Sequence, residues 1–119
     1  MFWNAWRRNW GGRMKPDALG LLGLMRRAGK LAAGEEGVRQ AARAGKAKLV
    51  LLASDASANA QKRAEGFAAQ AKVPLLVLQA DKETLCRAAG VAGGAMFAVC
   101  DDGFAAALQK KLQTEIGAE

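Results

Sequence analysis

The sequence predicts an α/β fold, a three-layer α/β/α sandwich with a central four-stranded mixed sheet in which most strands are parallel. Short apolar runs of strand length lie near 48–53, 73–78 and 95–100, and turn residues flank each run. Segments with apolar residues at helical spacing lie between these runs. Such alternation of strands and helices favours crossover helices on both faces of one sheet. A length of 119 residues with 51% apolar content suits a single core.

The first half of the chain predicts two helices and two strands. Pro16 suits the first turn of a helix, and Gly29 suits the position just after its end. Gly34 precedes a second helix with two acids in its first turn, and Gly45 ends that helix. The continuous apolar run that follows is typical of a strand buried on both faces. We therefore expect helices at 16–28 and 35–44, a strand at 48–53, and a short extended link or strand at 30–33.

The second half predicts three more helices and two more strands. The polar turn 54–59 is rich in helix-capping residues and precedes a helix that runs to about Lys72. Asp81 is a plausible N-cap for a short helix through Ala89, and a mobile loop follows at 90–94. A strand at 95–100 and a turn at 101–103 lead into a last helix that Gly117 ends. The strand between these helices is expected at 73–78.

The first 14 residues differ in composition from the rest of the chain. All three tryptophans lie in the first ten residues, and a second methionine follows at Met14. We expect residues 1–14 to be a disordered extension or the result of a start codon assigned too early, and residues 15–117 to form the single domain. The alternative is an arm whose tryptophans stack on bases while its arginines meet phosphates.

The basic residues are concentrated in one half of the chain. The net charge is +7, and residues 1–72 hold 14 Lys and Arg against 5 Asp and Glu, whereas residues 73–119 hold 4 against 6. This asymmetry favours a polyanionic partner, a nucleic acid or an anionic membrane. No apolar run approaches the roughly 20 residues that span a bilayer, so we expect a soluble protein. Of the two partner classes we favour a nucleic acid and expect no membrane partner. Two isolated cysteines fit a reducing, cytoplasmic setting.

The sequence argues against catalysis, and we expect no enzyme, no cofactor and no metal. Histidine is absent, so the commonest general base and metal ligand is missing. No phosphate-cradling GxxxxGK[ST], HExxH or GxSxG motif occurs. Two acidic pairs begin at Glu35 and Asp101, but consecutive helical residues do not face each other and acids at helix starts stabilise the dipole. Cys86 lacks an imidazole partner and lies on an apolar helix face.

Several stretches carry a resemblance to a known family. They are 19–31, Gly34-Glu35-Glu36, 44–53, Ser54-Asp55-Ala56-Ser57-Ala58-Asn59, Val73-Pro74, Gly90-Val91 and Asp101-Asp102-Gly103-Phe104. Together they resemble the ribosomal L-seven-Ae/L-thirty-e superfamily of kink-turn RNA-binding proteins, in particular its bacterial YlxQ-like branch. The resemblance covers about residues 16–115.

The resemblance implies RNA binding by a surface made from three places: the start of the second helix, the turn after the 48–53 strand, and the loop before the last strand. The family's Gly-x-Asn-Glu-x-x-Lys motif opens the second helix and contacts sheared G·A pairs. Here Gly34 matches, but Glu36, Gly37 and Gln40 replace the Asn, Glu and Lys. Glu36 only accepts hydrogen bonds and repels phosphate, which weakens base recognition.

We therefore predict a basic face that binds structured RNA by shape, with ribosomal RNA as one candidate. The protein would be a cytoplasmic monomer associated with the ribosome or with translation. The candidate RNA-binding residues are Arg26, Arg27, Lys30, Gly34, Glu35, Glu36, Arg39, Gln40, Arg43, Lys46, Ser57, Lys62, Arg63, Lys82 and Val91.

Two other functions remain open from the sequence. The same fold serves as a protein-interaction adaptor in some members of the superfamily, in which case Glu35 and Glu36 would belong to a protein interface. A similar domain also binds substrate in RNA-modifying enzymes. That function is disfavoured because a catalytic domain would need roughly 150 more residues.

Overall fold

A computed structural model describes residues 7–9, 16–78, 80–91 and 93–117. Five strands and five helices lie in these residues. They are β1 (Arg7–Asn9), α1 (Pro16–Arg27), β2 (Leu31–Ala33), α2 (Gly34–Arg43), β3 (Leu49–Leu52), α3 (Ala58–Ala71), β4 (Leu75–Val77), α4 (Lys82–Ala89), β5 (Met96–Val99) and α5 (Asp102–Gly117). The expected helices and the four expected strands are all present.

The sheet is mixed, with strand order β1-β4-β3-β5-β2. β3 pairs in parallel with β4, and β5 pairs antiparallel with both β3 and β2. The expectation that most strands are parallel is confirmed: among the described strands β1, β2, β3 and β4 run in one direction, and β5 runs in reverse between β3 and β2. The eight-residue α4 and the loop after it return to the edge where α4 began, so β5 enters the sheet from that edge.

A short fifth strand joins the four expected ones. β1 pairs in parallel with β4, with Arg7 opposite Leu75 and Asn9 opposite Val77. It falls in the segment that the sequence marks as an extension. Residues 1–6 and 10–15 lie outside the described part of the chain, so the tryptophan arm and the alternative start at Met14 stay predictions.

The sheet separates two apolar cores. Side chains alternate along each strand, so Leu49 and Leu51 face one core while Val50 and Leu52 face the other. Helices α1, α4 and α5 cover the first core, and α2 and α3 cover the second. All four residues of β3 and of β5 are buried. The three-layer α/β/α sandwich is therefore confirmed.

Candidate nucleic-acid interface

Three helices begin at one edge of the sheet. β3 and β4 end at this edge, and the start of β5 lies beside the end of β3, where the amide of Ala53 donates to the carbonyl of Ala95 over 2.8 Å. β2 also ends here, because Ala33 pairs with Phe97. The starts of α2, α3 and α4 therefore surround the loop that precedes β5. We call this surface the helix-start edge; it comprises 34–40, 54–57, 80–82, 91 and 93–95.

Two glycines bring the start of α2 against the loop before β5. Gly34 has φ +81° and Gly94 has φ +129°, both in the region that side chains disfavour. A Cβ on Gly94 would lie 3.1 Å from both the amide nitrogen and the Cα of Gly34. The thiol of Cys86 also donates to the carbonyl of Gly94 over 3.2 Å. The sequence predicted a mobile loop here and missed Gly94; the Gly93-Gly94 pair was the available signal.

The turn after β3 is tied to the start of α4. The main-chain amide of Lys82 donates to Oδ1 of Asp55 over 2.9 Å, and the amide of Ser54 donates to the carbonyl of Ala80 over 3.0 Å. Ser57 caps α3 by accepting from the amide of Ala60. Asp81 caps α4 in the same way, and hydrogen bonds from Thr84 hold the pKa of Asp81 below its usual range. These bonds fix the turn after β3 against the start of α4.

The acidic start of α2 neutralises cations that were candidates for phosphate contact. Glu36 binds the guanidinium of Arg39 through both carboxylate oxygens. It also accepts a hydrogen bond from the side-chain Nε2 of Gln40 over 3.0 Å. These bonds, with Arg39 the larger cause, lower the pKa of Glu36, and the carboxylate in turn raises the pKa of Arg39. Glu35 pairs with Arg63 and so links α2 to α3. A phosphate would have to compete with these carboxylates for Arg39 and Arg63.

Main-chain amides add a positive contribution at this edge. Positive helix-dipole ends of α2, α3 and α4 all lie here. Ala33, at the N-cap of α2, offers no side-chain hydrogen bond to the first turn. The amides of that turn therefore lack a capping side chain and are able to bind an anion or a base edge.

An open depression of about 600 Å³ lies beside the helix-start edge. It is lined by Lys82, Glu83, Cys86, Arg87, Val91, Gly93 and Gly94. Arg87 pairs with Glu83 over 2.9 Å, so Lys82 is the basic residue at the rim without an ion pair among the described residues. Burial raises the pKa of the Cys86 thiol, with Lys82 opposing that rise. The thiol therefore stays protonated at neutral pH.

The structure does not gather all the predicted residues on one face. Gly34, Glu35, Glu36, Arg39, Gln40, Ser57, Lys82 and Val91 lie at the helix-start edge, and Lys62 and Arg63 follow on the first half of α3. Arg26 and Arg27 lie in the last turn of α1 and line a second depression, of about 440 Å³, with Arg87. Arg43 ends α2, and Lys30 and Lys46 lie at the opposite edge of the sheet.

The described residues contain neither a membrane-spanning helix nor a metal-binding cluster. In 16–78, 80–91 and 93–117, no helix is long and apolar enough to cross a membrane. No group of three or more His, Cys, Asp or Glu in those ranges is placed to hold a metal ion. The site consists of main-chain amides, ion-paired side chains and a few unpaired cations.

The fold is a small α/β/α sandwich, and one edge of its sheet is built from helix starts and a glycine-rich loop. These features are those of a ribosomal-protein-like domain. The sequence profile of the Ribosomal protein L7Ae/L30e/S12e/Gadd45 family matches residues 17–108. The chain belongs to this family, as its resemblance implied.

Relatives in two bacteria are similar over most of their length. The RNA-binding protein YlxQ of Bacillus subtilis is 40% identical over 85 residues, which are 71% of this chain and 84% of that protein. RNA-binding protein YlxQ of Enterococcus faecium is 38% identical over 97 residues, which are 82% and 90% of the two chains. The YlxQ-like branch named from the sequence is therefore confirmed.

Solved structures support the fold. A protein of unknown function from Bacillus halodurans superposes with a TM-score of 0.75 at 32% identity, covering 83% of this chain and 99% of that one. A 15.5 kDa RNA-binding protein of Giardia lamblia superposes with a TM-score of 0.63 at 17% identity, covering 89% and 92%. At that identity the second likeness shows the fold alone.

Proposed function

We propose that this chain binds structured RNA through the helix-start edge and performs no catalysis. One observation carries the proposal: at a single edge the start of α2 contacts both the loop before β5 and the first half of α3, and the turn before α3 contacts the start of α4. The relatives from Bacillus subtilis and Enterococcus faecium are both named RNA-binding proteins, which supports the same activity here.

Recognition at this edge depends on backbone shape more than on base identity. Glu36 is held ionised by Arg39 and Gln40, so it accepts hydrogen bonds and cannot donate them. Gly37 and Gln40 add no charge. The uncapped amides of α2, the half-buried Val91 and the unpaired Lys82 offer contacts to phosphates and unstacked bases. We propose folded RNA as the ligand, without requiring a kink-turn.

The proposed setting is a ribosome- or translation-associated ribonucleoprotein in the cytoplasm, with the protein acting as a monomer. Ribosomal RNA is the first candidate ligand because the family is one of ribosomal proteins. A cytoplasmic RNA of another class would leave the site and its mode of contact unchanged.

The test is ultraviolet crosslinking in cells followed by sequencing of the bound RNA. The variant Arg39→Gln/Lys82→Gln removes two positive charges from the helix-start edge. The control Leu24→Glu/Ala106→Glu changes the net charge equally at exposed positions of α1 and α5. We expect RNA recovery to fall at least 10-fold in the first variant and less than 2-fold in the control. Equal recovery from both variants would contradict the proposal.

A further inference from the structure

The opposite edge of the sheet carries a separate group of lysines. β2, β3 and β4 begin there, and β5 ends there between β2 and β3. The carbonyl of Lys30 accepts from the amide of Cys100 over 2.8 Å, and the amide of Lys48 donates to the carbonyl of Val99 over 2.7 Å. Lys30 and Lys48 therefore flank the end of β5. Together with Lys46 they form what we call the lysine edge.

The three lysines lie near the half-buried sulfur of Cys100. Burial raises the pKa of the Cys100 thiol, and the charges of Lys46, Lys30 and Lys48 oppose that rise. All three lysines therefore lie within electrostatic range of the same atom. Lys30 and Lys46 are exposed and Lys48 is half-buried. The group is one compact patch.

The lysine edge lacks the ion pairs that neutralise the helix-start edge. Among the described residues, none of its three lysines forms a salt bridge, whereas Arg39, Arg63 and Arg87 each do. Asp101 and Asp102 lie nearby, but Asp101 accepts from the amide of Phe104 over 3.0 Å and both acids lie at the start of α5. Among the described residues these two acids form no salt bridge with the three lysines, so the ammonium groups of the lysine edge are able to contact an anion.

Helix stabilisation does not account for these lysines. Cations in the last turn of a helix interact favourably with its dipole, which explains Arg26, Arg27 and Arg43. Lys30, Lys46 and Lys48 lie beyond the ends of α1 and α2, in the links that enter β2 and β3. Three like charges in one patch repel one another, and a polyanion relieves that repulsion.

We propose that the lysine edge contacts the phosphate backbone of the RNA whose folded element lies at the helix-start edge, as a second and sequence-independent contact surface. This inference rests on the proposed function. β3, four residues long, separates the two edges by roughly 13 Å. An RNA that extends past one edge is thereby able to reach the other. Ammonium groups act as point charges toward phosphate and carry no base information.

The first experiment measures the affinity of the full chain for a fluorescein-labelled 20-base-pair RNA duplex of arbitrary sequence, in 50–200 mM KCl. The variant Lys30→Gln/Lys46→Gln/Lys48→Gln is compared with Leu24→Glu/Gln70→Glu/Ala106→Glu, which lowers the net charge by the same three units at exposed positions of α1, α3 and α5. We expect the first variant to lower the slope of log affinity against log salt by about 2 to 3 and the second by less than 1. Equal slopes in the two variants would overturn the inference.

The second experiment places the duplex without any mutation. Alkylation of Cys100 by iodoacetamide is followed by mass spectrometry with and without the same duplex. Bound RNA over the lysine edge should slow modification of Cys100 at least 5-fold, and this protection should disappear in the lysine variant. Unchanged modification of Cys100 at saturating duplex would count against the inference.

Controls separate loss of folding, a protein partner and failure of the proposed function. Thermal unfolding checks the triple variant, and Lys30→Gln/Lys46→Gln replaces it if the half-buried Lys48 proves necessary for folding. Competition by poly-glutamate as strong as that of RNA at equal charge would overturn the inference in favour of an acidic protein. The two proposals can also fail separately. If Arg39→Gln/Lys82→Gln crosslinks to RNA in cells as well as the wild type does, binding at the helix-start edge is refuted. If the lysine variant still lowers the salt slope, the phosphate contact at the lysine edge is retained.

Discussion

Individual side chains at the start of α2 have two roles. The sequence explained Glu35 and Glu36 as acids that favour the positive end of a helix, and the structure shows that they also bind Arg63 and Arg39. One pair joins α2 to α3, and the other stays within α2. The count of Lys and Arg along the sequence therefore overstated the positive charge available to a ligand at this edge. The count does not show which arginines are ion-paired, because pairing depends on which side chains the fold brings together.

A methyl group at residue 94 should disturb the interface. Gly94 has φ +129°, and its Cβ would lie 3.1 Å from Gly34. We expect Gly94→Ala to lower the free energy of unfolding by roughly 1 to 3 kcal/mol and to shift the amide resonance of Gly34. Urea unfolding and heteronuclear NMR measure the two effects.

The neighbouring glycine provides the matched control. A Cβ on Gly93 would meet no atom within 4 Å, so Gly93→Ala should change stability by less than about 0.5 kcal/mol. Similar losses in the two variants would show that the close approach of Gly34 and Gly94 is unimportant.

Lys72 is the described non-glycine residue with a positive φ, at 60°. It ends α3 in the left-handed conformation, which costs a side chain roughly 1 to 2 kcal/mol. Glycine would relieve that strain at a backbone-entropy cost of roughly 0.4 to 1 kcal/mol. We expect Lys72→Gly to raise the free energy of unfolding by about 0.5 kcal/mol, measured in urea.

The same change inside the helix should act in the opposite direction. Gln70 is exposed within α3, and Gln70→Gly should destabilise by roughly 0.5 to 1 kcal/mol. Destabilisation by both substitutions would show that Lys72 has a compensating contact in the folded state.

Among whole elements, the helix starts differ in how their first amides are satisfied. Ser57 and Asp81 cap α3 and α4 through their side chains, whereas Ala33 leaves α2 without such a bond. Sequence patterning identified Asp81 as a cap because Asp precedes a helical apolar pattern. The pattern does not show that the uncapped first amides of α2 lie at the helix-start edge. Their position depends on the direction of β2 in the sheet, because α2 follows β2 directly.

The cap of α4 makes a pH-dependent contribution to stability. Hydrogen bonds from Thr84 lower the pKa of Asp81 from its usual 3.8. A depressed folded-state pKa adds stability above the unfolded value and loses it as pH falls through the folded value. We expect Asp81→Asn to be less stable than the wild type at pH 7, with the difference shrinking below about pH 4.

Thermal unfolding from pH 2 to 7 measures this difference. Asn retains the capping oxygen, so the comparison isolates the charge. Asp55→Asn is the matched control. It removes a neighbouring carboxylate charge but leaves in place Thr84, whose hydrogen bonds lower the pKa of Asp81. A constant difference between wild type and Asp81→Asn over this range would contradict the prediction.

The whole molecule depends on two cores that share one sheet. Phe97 is fully buried in the first core, from the middle of β5. Phe97→Ala should cost roughly 3 to 5 kcal/mol, a large part of the 5 to 15 kcal/mol typical of a domain. Denaturant unfolding of the variant, or loss of its cooperative transition, checks this.

Leu24 supplies the comparison for that substitution. It is 53% exposed on α1, so Leu24→Ala should change stability by less than about 0.5 kcal/mol. A comparable loss in both variants would mean that Leu24 is covered by another part of the chain.

Apolar periodicity and capping residues determined the elements and the fold class of this protein. Continuous runs such as 48–53 predict strands buried on both faces, and β3 is buried at every position. The resemblance of short motifs, including Gly34-Glu35-Glu36, was sufficient to name the family. These are properties of segments close together in sequence, which local spacing encodes.

Tertiary structure decided where the charges lie. The sequence placed Lys30, Lys46, Arg39 and Arg63 in one basic face, but the first two lie at the lysine edge and the others are ion-paired near the helix-start edge. The reversed direction of β5 and the neighbouring positions of α2 and α3 produce this separation. Both depend on contacts between residues distant in the chain, which spacing along one sequence does not reveal.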